Sequence, residues 1–164
     1  MSAHAKLGAS GSHRWAACPG SVKAEEGIQE RRSAFADEGT AAHELAELVL
    51  SQGGDCQHWV GRALIENNAH TVDREMADYV QVYVDYVKSI KGRHEYEQRV
   101  EFTDWVPDGF GTADALVLQD TTLYVIDLKY GKGVPVSAFE NTQGILYALG
   151  AAADYEFLRD IQTV

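Results

Sequence analysis

Between Gly111 and Lys129 the chain reads GTADALVLQDTTLYVIDLK, two apolar arms rich in β-branched and aromatic residues around the polar turn LQDTTL. Centring the turn on Asp120-Thr121 makes Gln119 face Thr122. Leu118 then faces Leu123 and Leu116 faces Val125 on one side, while Val117 faces Tyr124 and Ala115 faces Ile126 on the other. Both faces are apolar, so an interior hairpin is expected. The same register sets Asp114 opposite Asp127, with Lys129 two positions further along that face. Directly opposed residues have Cβ atoms about 4.5 to 5.5 Å apart, so two carboxylates and an ammonium should converge.

Helical periodicity flanks this hairpin. GTAAHELAELVL, from Gly39 to Leu50, has an apolar stripe at Ala42, Leu45, Ala46 and Val49, and Gly53-Gly54 ends it. That helix sets His43 and Glu47 on one face, one turn apart. Asp73 has the character of an N-cap for a long amphipathic helix through Met76, Tyr79, Val80, Tyr83, Tyr86, Val87 and Ile90, closing at Lys91-Gly92, and its tyrosines are expected in the core. His94 to Phe102 alternates as a strand, with Glu97, Arg99 and Glu101 on one face. The Pro107-Asp108-Gly109 turn leads into the hairpin. After Lys129, a glycine-containing loop carries Lys132, and a last helix over about 140–152 sets Gln143 and Tyr147 on one face.

The ends are less regular. Residues 1–38 form an irregular segment with one short helix, Ser12 to Ala17; Trp15 reads as a packing residue and Cys18-Pro19-Gly20 as an anchored turn. Residues 55–72 show no clear period. Residues 155–164 begin to read as a strand and then stop, so the chain is expected to be a piece of a longer protein, with a main domain over 39–164.

Composition narrows the setting. The 164 residues, 45% hydrophobic and 24% charged, suit one globular domain with a real core. The small, polar first residues carry neither a signal nor a membrane span, which leads to the expectation of a cytoplasmic protein with no membrane partner. Cys18 and Cys56 are too few for a disulfide framework or a complete iron–sulfur cluster within this chain; Cys18 reads as a small buried thiol, with a lone metal ligand as the alternative. Fourteen basic against twenty-five acidic residues give a net charge of −11, contrary to the usual surface of a nucleic-acid binder. A bound metal would change that sign locally.

The chemistry centres on Asp114 and Asp127. Like charges opposed in a partly buried sheet must be protonated, paired or bound to a cation. A divalent metal resolves the conflict; the plainer alternative is an exposed hairpin end where Asp114 pairs with Lys129. His43 and Glu47 have a plain reading as well, a solvated pair one turn apart.

The order of these pieces resembles the RecB-like branch of the PD-(D/E)XK nuclease superfamily: a helix with His43-x-x-x-Glu47, a hairpin with Gly111-x-x-Asp114, then Asp127-Leu128-Lys129, then a helix with Gln143-x-x-x-Tyr147. The wording DLKYGKG resembles a phage- and prophage-borne group of that branch. The resemblance spans Gly39 to Tyr147. It implies an α/β, restriction-endonuclease-like core, a mixed central sheet with an antiparallel hairpin flanked by helices. It implies that His43, Asp114, Asp127 and the Leu128 carbonyl bind Mg²⁺ or Mn²⁺, that Asp114, Asp127 and Lys129 are catalytic, and that Gln143 and Tyr147 touch DNA or brace the site. Glu47 would be auxiliary, as would Glu97 and Glu101, for which strand-surface carboxylates are the simpler reading. Lys132 could meet a phosphate. The implied activity is DNA phosphodiester hydrolysis by an exonuclease, alongside phage replication or recombination proteins. The alternative is a weakly active or inactive DNA-binding or scaffold protein on the same fold.

Overall fold

A computed structural model describes residues 5–28, 34–64, 70–131, 135–156 and 161–164. Its elements run α1 (Ser12–Ala17), α2 (Ser21–Ala24), α3 (Ala34–Gln52), α4 (Arg74–Ser89), β1 (Arg93–Glu101), β2 (Phe110–Gln119), β3 (Thr122–Ile126) and α5 (Thr142–Glu156). They fall into two compact units. One holds Met1–Glu30, Gly92–Asp127 and Ser137–Val164; the other holds Arg31–Lys91 and Leu128–Val136.

The first unit is built on a three-stranded antiparallel sheet in the order β1-β2-β3. The β2–β3 register is the one expected from the turn: Gln119 pairs with Thr122, Leu118 with Leu123, Leu116 with Val125 and Ala115 with Ile126. Asp120 takes a left-handed φ of 53° in the turn, a conformation that Asp tolerates better than most residues. Ala115, Leu116, Val117, Leu118 and Leu123 are all buried, so the interior hairpin holds. Among the described residues the sheet's parallel element is the bridge between Thr122 and Thr163, where Leu123 N donates to Thr163 O at 2.9 Å. The mixed sheet therefore amounts to an antiparallel one with one parallel bridge at the β3 edge.

Helix α5 closes this unit. Asn141 Oδ1 accepts from Gly144 N at 3.0 Å, capping the first turn, and Ser12 Oγ and Thr142 Oγ1 share a hydrogen bond of 2.6 Å that ties α1 to the start of α5. Leu146, Tyr147, Ala151 and Tyr155 pack into a core with Val100, Phe102, Ala113, Leu116, Leu118 and Leu123. Trp15 packs against that core, with its indole Nε1 donating to Gly8 O at 3.0 Å. Gly150 permits the close approach of helix and strand: a Cβ there would lie 2.5 Å from Glu101 O. Tyr155 and Glu156, expected to open a strand, complete α5 instead. Tyr155 is buried in the core, and that burial outweighs its β preference.

The second unit pairs α3 with α4. In α3 the buried stripe is Ala41, Ala42, Leu45, Ala46, Val49 and Leu50, and the helix stops at Gly53, whose φ of 80° suits glycine alone at low cost. Asp73 caps α4 as expected, accepting from Met76 N at 2.8 Å. The tyrosines do not follow the expectation. Met76, Ala77, Val80, Val84 and Val87 are buried, while Tyr79 and Tyr86 are 61% and 55% exposed. Valines spaced three and four apart form the inner stripe, and the tyrosines lie on the neighbouring one, where the phenol end can meet water. Cys18 is likewise corrected: it is exposed, at the C-cap of the short α1, and Cys56 is the buried thiol.

Candidate metal centre

Asp114 lies on β2 one residue before Ala115, whose partner is Ile126; Asp127 is the next residue after that pair. The ladder stops at Ala115–Ile126, so the expected facing of Asp114 and Asp127 falls one step beyond its last pair, where β3 ends and the chain leaves the first unit. Both are half-buried. Asp127 Oδ1 accepts a hydrogen bond of 2.8 Å from Gln143 Nε2. Gln143 stands in the first turn of α5, so the Asn141 cap and the Ser12–Thr142 tie that set the start of the helix also aim this amide.

Tyr147, one turn further along α5, is buried and lies over Gly111. A Cβ at Gly111 would come within 2.7 Å of the Tyr147 ring and 2.8 Å of its hydroxyl, which gives a steric reason for glycine three residues before Asp114. Burial pushes the phenol up to about 12. Asp127 and Asp114 push the same way, against hydrogen bonds with Gln143 and the Thr112 backbone. The hydroxyl therefore stays protonated at ordinary pH, a neutral brace beside two carboxylates.

A third carboxylate joins them. Ladder pairs are formed by Tyr96 with Ala115 and by Gln98 with Ala113, and the intervening positions, Glu97 and Asp114, are skipped. Glu97 has φ 48°, left-handed for a non-glycine residue within a strand, a conformation that costs about 1–3 kcal/mol. Carboxylate oxygens of Glu97 and Asp114 lie within 4.8 Å of each other. The strand alternation breaks at the same place: Leu116 and Leu118 share the α5-side core with Ala113, which strict alternation would turn to the other face. The β1–β2 register runs through the long 102–109 connection, so no turn rule exposes this neighbour in the sequence. The sequence offered Glu97 as an auxiliary ligand through the resemblance alone, beside the simpler reading of a strand-surface carboxylate.

Glu101 aside, the other expected residues that the structure describes belong to the second unit. His43 and Glu47 are on α3 in the second unit, half-buried and exposed respectively. Glu44 beside them has its carboxyl raised by burial and then by Glu47. Leu128, buried, and Lys129, exposed, open the short segment that belongs to the second unit. In that segment burial, followed by Asp73, Glu38 and Glu75, pushes the Tyr130 phenol up to about 12. Lys132 lies outside the described residues. The first unit thus brings together Asp114, Asp127, Gln143 and Tyr147 and adds Glu97. These are hard oxygen donors with a neutral amide and phenol behind them, a set suited to Mg²⁺ or Mn²⁺.

An α/β protein with a three-stranded antiparallel sheet that sets the Glu97 and Asp114 carboxylates within 4.8 Å of each other is the class that fold and site define. The family described as "Protein of unknown function (DUF2800)" matches residues 4–164, and the chain belongs to it. No solved structure matches this chain. No helix among the described residues is long and apolar enough to cross a membrane.

Proposed function

We propose that this chain is a metal-dependent deoxyribonuclease of the RecB-like PD-(D/E)XK kind, an exonuclease that works in the cytoplasm with phage replication or recombination proteins. The observation that supports the reading is the hairpin: its ladder runs to Ala115 and Ile126, the residues next to Asp114 and Asp127, and Gln143 donates to Asp127 at 2.8 Å.

Asp114, Asp127, the Leu128 carbonyl and His43 would hold Mg²⁺ or Mn²⁺, with Glu97 as a further carboxylate ligand. The bound ion would supply a Lewis acid that activates water and neutralises charge on the phosphodiester. Lys129 positions that water or stabilises the added negative charge. Gln143 fixes the rotamer of Asp127, and Tyr147 fills the space over Gly111 so that the β2 backbone before Asp114 cannot shift. In the net reaction one P–O bond of the DNA backbone breaks. The water oxygen joins phosphorus and its proton passes to the leaving oxygen.

The net charge of −11 favours a second reading, a DNA-binding or scaffold protein that keeps the metal and cleaves weakly or not at all. End-labelled linear duplex and single-stranded DNA with Mn²⁺ or Mg²⁺ separates the two, with a closed circle and Lys129→Ala as controls. Metal-dependent loss of linear DNA, circles spared, and a drop on the order of 10²–10³-fold in Lys129→Ala is the expected result. Metal binding by a folded chain with no cleavage of any substrate would move the assignment to the second reading.

A further inference from the structure

We propose that Arg99, stacked on Phe110 and tethered to Glu101, is a contact for a nucleic-acid backbone phosphate beside the acidic hairpin. The inference rests on the nuclease reading above and adds to it the cation that a chain of net charge −11 needs near its substrate. Arg99 is on β1 opposite Thr112, two residues and therefore roughly 7 Å of strand from Glu97, as Thr112 is from Asp114.

Its guanidinium is held from two directions. The carbon Cζ sits 3.7 Å from the centroid of the Phe110 ring, and Nε and Nη2 both donate to Glu101 Oε1, at 3.2 and 3.1 Å. A planar cation stacked on an aromatic ring has little rotamer freedom left to lose when it binds. The side chain is nevertheless 55% exposed, and Nη1 makes no hydrogen bond among the described residues. A rigid, solvent-facing guanidinium edge with free donors matches the fork geometry of a phosphate. The opposing charges are Glu101 itself and Asp154, whose carboxyl is raised by burial and then by Glu101 and Glu95. They weaken a bound phosphate without occupying the Nη1 edge. Exposed pairs such as Arg99–Glu101 contribute little by themselves, so Glu101 offsets only a small part of a phosphate contact at Nη1.

The test is anisotropy of labelled oligonucleotides of unrelated sequence, with Ca²⁺ replacing Mg²⁺ so that the DNA stays intact, over about 50 to 200 mM salt. Arg99→Ala should weaken binding about fivefold, equally for each sequence, and lower the salt slope by about one. Arg99→Lys should keep the slope, and Glu101→Gln should tighten binding. Wild-type binding with Arg99→Ala and Glu101→Gln both unchanged would overturn the phosphate contact and leave the nuclease reading standing. A wild-type chain that neither binds nor cleaves DNA would overturn both. Displacement of DNA by inorganic phosphate at matched ionic strength, lost in Arg99→Ala, would overturn the backbone assignment in favour of free phosphate.

Discussion

Helix α4 and strand β1 follow one another in the chain and treat regularity in opposite ways. In α4 the cap, the helical period and the burial agree: Asp73 accepts from Met76 N, and Met76, Val80, Val84 and Val87 form one inner stripe. In β1 the middle of the strand departs from its own geometry. Glu97 takes φ 48°, its ladder pair with Asp114 is skipped, and the alternation of faces breaks there. Local consistency makes α4 a regular framework element, while the left-handed residue in the middle of β1 sets a local conflict beside Asp114.

The close packing around the hairpin offers the strongest way to sharpen this contrast. Gly111→Ala drives a methyl group into the Tyr147 ring at 2.7 Å, where the buried ring has little room to retreat. It should destabilise the chain by about 1–3 kcal/mol in chemical denaturation and weaken Mn²⁺ binding as the β2 backbone shifts. Unchanged Mn²⁺ affinity would show that the Tyr147 brace does not reach the carboxylates.

On the regular side, Asp73→Ala should cost about 1 kcal/mol through loss of the Met76 N–H partner, with Mn²⁺ affinity unaltered. A change in metal affinity here would break the division between scaffold and site.

The smallest expected effect has the opposite sign. Glu97→Gly relieves the left-handed strain and removes a carboxylate within 4.8 Å of Asp114. Stability without metal should rise by about 0.5 kcal/mol, limited by the added chain entropy of glycine, while Mn²⁺ affinity falls. A loss of stability in the metal-free chain would mean that the strand conformation at Glu97 is held by packing alone.

Much of this arrangement was legible in the sequence because it rests on short-range rules. A two-residue turn and the twofold alternation of a strand determined the β2–β3 register down to Ala115 and Ile126. The same kind of reasoning found α1, the Asp73 cap and the end of α3 at Gly53. Burial within α4 was less legible. Valine and tyrosine both suit an apolar stripe, and only the packed partner helix distinguishes the position that must exclude water from the one that can leave a hydroxyl in it.

What the sequence by itself determined is the set of local elements and the hairpin register as far as Ala115 and Ile126. What only the tertiary structure decided is which distant residues join them. The 102–109 connection carries no turn rule that sets the β1–β2 register, so Glu97 met Asp114 only once the sheet had formed. Gln143 reached Asp127 because α5 was anchored through Ser12 and capped by Asn141. Tyr147 became a buried brace because Gly111 left space for it. These are contacts between segments far apart in the chain, and their energies come from close packing and desolvation, which no local pattern of residues records.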